Sequence, residues 1–158
     1  MDNEFHTVRG YQLLRRHNMM LTPAMEDYLE MIFRNTQQDG YLRINELAEQ
    51  LHVRASSATK MVQKLGELGL IKYKKYGIIE LSETGKEVGK CLLDRHNVIK
   101  TFLVTIGITE NLLTETELIE HYISPNTQKH MEIFNSFFLS YPEFARRLKS
   151  FVGENLDK

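Results

Sequence analysis

The sequence holds a single cysteine, Cys91, no tryptophan, three prolines and no long apolar run. One cysteine excludes an internal disulfide and every cysteine-rich zinc module, so a metal site has to be built from imidazole and carboxylate. No stretch approaches the roughly 18 consecutive apolar residues of a membrane span, and the N-terminal residues lack the apolar segment of a signal peptide; a cytoplasmic protein with no membrane partner is expected. An excess of charge of one sign is lacking too: 20 Lys and Arg against 21 Asp and Glu leave a net charge of -1. A polyanion would therefore have to be met by local segregation of charge. What is there is 42% hydrophobic residues in a chain of 158, enough to bury a core as one domain or two small ones.

Residues 1–20 show no clean periodicity and suggest an arm or frayed helix, with Arg9, Arg15 and Arg16 near one another; Met19 or Met20 offers an alternative start. From Thr22 the pattern becomes regular. Thr22 is placed to cap a helix, Pro23 suits its first position, and Glu26 and Asp27 suit its first turn. Met25, Tyr28, Leu29, Ile32 and Phe33 recur at helical spacing as one core stripe, which leaves Asp27 and Glu30 together on the opposite side. After a turn at Asp39 and Gly40, a second short helix carries Ile44, Leu47, Ala48 and Leu51; Ser56 starts a third with Met61, Val62, Leu65 and Leu68. Only residues 52–55 part the two, the outline of a helix-turn-helix. Ile71, Tyr73, Ile78, Ile79 and Leu81 then flank a tip at 74–77, predicting a small β-hairpin wing. Beyond residues 82–85 a long helix carries Val88, Leu92, Ile99, Phe102 and Leu103 and is closed by Gly107; three more helices follow at about 114–123, 125–140 and 142–152. The expected class is mainly α: an arm over 1–20, a winged helix-turn-helix DNA-binding domain over 21–82, and an all-α domain over 83–158.

Charge segregates where a DNA reader needs it. Between Arg43 and Lys75 lie seven basic residues (Arg43, Arg54, Lys60, Lys64, Lys72, Lys74, Lys75) against three acidic ones. On the third helix Ser56, Ser57, Lys60, Gln63 and Lys64 share the face left by the apolar stripe, with Arg54 just before and Thr59 beside them. Such a helix suits the major groove of double-stranded DNA, its hydroxyls and N-terminus meeting phosphate while Lys and Gln reach base edges. Lys74, Lys75 and Tyr76 at the wing tip are placed to grip the adjacent backbone. Lysines on a helix are ordinarily a solvated face; the order of helix, turn, basic helix and basic-tipped hairpin is the more specific signal.

Three segments carry hard metal ligands: Asp27 and Glu30 on the first helix, His96 on the long helix, and Glu117, Glu120 and His121 at i, i+3 and i+4. Four carboxylates and two imidazoles suit manganese(II) or iron(II), whereas copper(I) and structural zinc favour thiolate. Taken singly, each piece has a plainer meaning. First-turn carboxylates complement the helix dipole, and His96 beside Leu92, Ile99 and Leu103 has the position of a core histidine.

The stretches LTPAMEDYLEMIF, SSATKMVQKLGELGLI, YKKYGIIELSETGKEVGK, RHNVIKTFL and ELIEH, in that order, resemble the iron-dependent repressor (DtxR/MntR) family from Leu21 to about Phe138. The resemblance implies a homodimeric metal-dependent repressor of metal-uptake genes, with metal between the winged helix and a helical dimerisation domain. In the manganese-sensing branch the ligands fall on Asp27, Glu30, His96, Glu117, Glu120 and His121, with paired ions that carboxylates such as Glu120 are able to bridge. The iron-sensing branch resembles this chain less, with methionine at the place of Asp27 and cysteine at that of Glu117. The turn into the recognition helix reads RASS where relatives often have HPSS, which bears on the operator sequence. Two other readings stay open here: a winged-helix regulator answering to iron(II) or a small molecule, and a dinuclear metallohydrolase, for which no separate acid or base is evident.

Overall fold

The computed structural model describes residues 21–156; the expected arm over 1–20 lies outside them. Along these residues run α1 (Pro23–Asp39), β1 (Leu42–Arg43), α2 (Ile44–Gln50), α3 (Ala55–Glu67), β2 (Ile71–Lys74), a short 3-10 turn (Lys75–Gly77), β3 (Ile78–Leu81), α4 (Glu83–Thr105), α5 (Leu112–Glu120), α6 (Pro125–Ser140) and α7 (Pro142–Leu156). They divide into two compact units, the first ending at Leu93 and the second starting at Asp94. None of these helices is long and apolar enough to cross a membrane.

In the first unit local chemistry sets the helix ends. The Thr22 hydroxyl accepts from the Met25 amide at 3.3 Å with Pro23 in the first turn, and α1 stops where Gly40 turns left-handed at φ 75. The Glu46 carboxylate accepts from the Arg43 amide at 3.2 Å and opens α2. The turn into α3 passes through His52 at φ 53, and α3 buries Ala58, Val62 and Leu65 at i, i+4 and i+7. Its polar side is thereby turned outward.

The sheet is antiparallel and three-stranded, in the order β1-β3-β2, with Leu42 opposite Ile79 and Ile71 opposite Leu81. The expected hairpin is β2 with β3; β1 adds a two-residue edge. Leu29, Ile32, Leu47, Val62, Leu65, Leu70 and Ile79 are fully buried in one core, each contributing about 1.5–3 kcal/mol. Val88 and Leu92 join that core, and Gly89 sits so close to Phe33 that a Cβ would meet its ring at 2.9 Å. The opening turns of α4 therefore belong to the first unit by packing, and its extent runs past the wing to Leu93.

The second unit comprises the rest of α4 with α5, α6 and α7. Ser124 caps α6, its hydroxyl accepting from the Thr127 amide at 3.1 Å with Pro125 following. Phe102 meets Phe134 edge-on at 5.1 Å, and Phe134, Phe138, Phe137 and Phe144 continue the aromatic run. Few side chains are fully covered: Ile99 and Leu103 are buried, but α7 has no buried residue, and Leu118, Ile133, Leu139, Phe151 and Leu156 are exposed.

Candidate metal centre and nucleic-acid interface

Three of the expected ligands meet inside the second unit. His96 Nδ1 lies 2.8 Å from Glu120 Oε2, and His121 Nε2 lies 3.8 Å from Glu120 Oε1. The first is a hydrogen bond; the second is beyond one. The side chains of His96, Glu120 and His121 are 6%, 3% and 9% exposed. Glu120 ends α5 and His121 is its C-cap, so the carboxylate and the second imidazole leave the helix terminus together. Glu117, one turn earlier, is exposed, and among the described residues no hydrogen bond or ion pair joins it to this cluster.

The other two expected ligands are on α1 of the first unit, where Asp27 is exposed and Glu30 is buried. Glu30 is ion-paired with Arg34 one turn on. Arg34 was not among the residues singled out from the sequence, although its i, i+4 spacing from Glu30 was there to see.

The donor chemistry of the second-unit cluster fits a hard or borderline divalent ion: two imidazole nitrogens beside both oxygens of one carboxylate, with no thiolate among the three residues. Burying a carboxylate this deeply is unfavourable unless hydrogen bonds or a positive charge compensate it, and a cation held by these atoms would do so.

The residues expected to meet nucleic acid all lie within the first unit. Arg54, Ser56, Ser57, Lys60, Gln63 and Lys64 are all exposed, lining the outer side of α3. Thr59 is half-buried and its hydroxyl donates to the Ala55 carbonyl at 2.8 Å, which turns it toward its own helix. At the wing, Lys75 is exposed and Tyr76 is 89% exposed at φ 64, a left-handed conformation that non-glycine residues seldom adopt. Gly77 follows at φ 73, where a Cβ would also meet Ile44 Cγ2 at 2.6 Å.

Lys74 differs from its neighbours, because its ammonium donates to Glu80 at 2.6 Å. Phosphate has to compete with that carboxylate. Glu80→Gln is therefore expected to strengthen DNA binding a few-fold and to steepen its salt dependence by up to about one counterion, as Lys74 becomes available. Anisotropy titrations at several salt concentrations would show this; an unchanged slope would mean that Lys74 does not reach phosphate.

Two family descriptions match the sequence in succession: "Iron dependent repressor, N-terminal DNA binding domain" over residues 20–79 and "Iron dependent repressor, metal binding and dimerisation domain" over 82–145. The chain belongs to the iron-dependent repressor family. Like its relatives, this repressor is a metal-dependent, DNA-binding transcriptional regulator and not an enzyme. It is 39% identical to the HTH-type transcriptional regulator MntR of Bacillus pumilus over 137 residues, 86% of this chain and 95% of that protein. To the regulator of the same name from Listeria monocytogenes it is 38% identical over 132 residues, covering 83% and 93%. Among solved structures it is similar to a manganese-dependent transcriptional repressor in complex with manganese, at 28% identity and TM-score 0.65, covering 72% of this chain and 53% of that one. The hypothetical protein SSo2273 from Sulfolobus solfataricus is also similar, at 26% identity and TM-score 0.57, covering 72% and 88%. The family's first description covers α3 and most of the wing, and its second covers the His96, Glu120 and His121 cluster.

Proposed function

We propose that this repressor answers to manganese(II), binding double-stranded operator DNA as a homodimer when the ion is held, and so controls metal-uptake genes. The observation that carries the reading is the buried Glu120 with an imidazole beside each of its oxygens. Asp27, Glu30 and Glu117 complete the ligand set, enough for two ions per subunit with Glu120 shared. When bound, the ions would supply positive charge that offsets these carboxylates.

Manganese is favoured over iron(II) by carboxylates at Asp27 and Glu117, the two ligand positions where the iron-sensing branch has methionine and cysteine instead. Relatives carrying the name MntR and a similar repressor described with manganese support the same choice. The exposed apolar side chains of α5, α6 and α7 are the surface a second copy would cover, as the dimerisation description leads one to expect.

The coupling to DNA follows from packing in the first unit. Leu29 and Ile32 of α1 share a core with Val62 and Leu65 of α3. Fixing Asp27 and Glu30 therefore fixes α1, and α1 carries the recognition helix with it. Metal and DNA must then strengthen each other's binding, typically by 1–3 kcal/mol or roughly 5–150-fold. Mobility shifts on operator DNA, with manganese and with chelator, measure that factor. Equal affinity in the two conditions would end the reading.

A further inference from the structure

Glu30 is a buried carboxylate, and one cation beside it is Arg34 on the same helix, the more favourable order for an i, i+4 pair. The Glu30 side chain is 10% exposed and that of Arg34 38%, so the guanidinium reaches inward from the surface to an acid that has lost most of its water. Arg34 makes no other hydrogen bond or ion pair among the described residues. Resting on the manganese reading above, we propose that Arg34 is a resident counter-ion for Glu30 that competes with the metal and sets the concentration at which the repressor responds.

A carboxylate removed from water needs compensation in the metal-free chain, and Arg34 contributes a full positive charge to it. A divalent ion approaching Glu30 then meets a fixed positive charge. Either the guanidinium withdraws to solvent and its ion pair is lost, or it stays and repels the ion across a few ångströms of poorly screened space. Both outcomes weaken metal binding relative to a chain without that charge. The role is one of tuning: Arg34 acts through Glu30.

The test compares the full-length wild type with Arg34→Gln and Arg34→Lys in two readouts. One is manganese(II) affinity, from the electron paramagnetic resonance signal of the unbound ion; the other is melting temperature in chelator. Arg34→Gln is expected to bind manganese roughly tenfold tighter and to melt below wild type without metal, the two converging when metal is saturating. Arg34→Lys, keeping the charge, stays near wild type in both. If wild type binds manganese but Arg34→Gln binds it equally well or more weakly, Arg34 does not compete and the proposal is overturned. If wild type itself binds no manganese, the manganese reading fails and the proposal falls with it, a result distinguished by the wild type alone.

Discussion

Gly85→Ala is expected to destabilise the protein by about 3 kcal/mol and to lower its melting temperature by roughly 10 °C. Gly85 lies in the first turn of α4, and a Cβ there would stand 1.8 Å from the Leu70 carbonyl oxygen and 2.9 Å from its carbon. These are backbone atoms in the short link between α3 and β2, which have no rotamer to change. The same carbonyl accepts from the Ser82 amide at 3.0 Å, and the Ser82 hydroxyl in turn accepts from the Gly85 amide at 3.0 Å. Moving Leu70 aside would break this seam, at about 1 kcal/mol for each hydrogen bond, and would displace a fully buried core residue. Alanine's better helix propensity, about 1 kcal/mol, opposes the effect but is too small to reverse it. Because the seam joins the recognition helix to the wing, operator affinity should fall as well. Thermal denaturation in chelator gives the stability directly; a melting point within about 2 °C of wild type would show that the Leu70 link can yield.

How much of this fold is visible in the sequence depends on whether an element carries its own signals. The helix α1 does: Thr22, Pro23 and Gly40 mark its ends, and its apolar stripe is long enough to define a period. The strand β1 does not. Two residues cannot display alternation, and Leu42 and Arg43 become a strand only because Ile79 and Ile78 lie opposite. The helix α4 shows a subtler limit. Its apolar residues read as one continuous stripe, whereas Val88 and Leu92 are core of the first unit, and Ile99 and Leu103 are buried beyond the division at Leu93. Periodicity reveals that a face is buried but not what buries it.

The candidate site divides along the same line. The polar face of α3 is legible because it is the complement of a stripe on one helix, and the structure exposes those residues with Thr59 turned back toward its own backbone. His96 is legible both as a candidate ligand and as a core histidine beside an apolar stripe, because Glu120 is 24 residues away and a hydrogen bond across that separation leaves no periodic trace. The family resemblance, not spacing, favours the ligand reading over the core one. Lys74 shows the converse: its charge pointed to phosphate, while the cross-strand register that brings Glu80 near it appears only once β2 and β3 are paired.

Glu120→Gln separates the metal centre from the scaffold around it. The amide keeps the size of the carboxylate but replaces one oxygen with a donor, so the arrangement of one carboxylate oxygen toward each imidazole cannot be kept. Manganese affinity is expected to fall by 100-fold or more, since outer contacts alone are worth 10–100-fold and Glu120 is proposed as a shared ligand. Stability should respond differently. Wild type at a manganese concentration 100 times its dissociation constant should gain about 2.7 kcal/mol, and the variant at that same concentration should gain little. Without metal the variant should melt at or above the wild-type temperature, because a buried charge has been removed. A variant that merely misfolds would melt lower in chelator, so the two causes of lost repression are distinguishable in one series of scans. If Glu120→Gln kept the metal-dependent rise in melting temperature, Glu120 would not be a ligand, and the joint placement of His96 and His121 beside it would need another explanation.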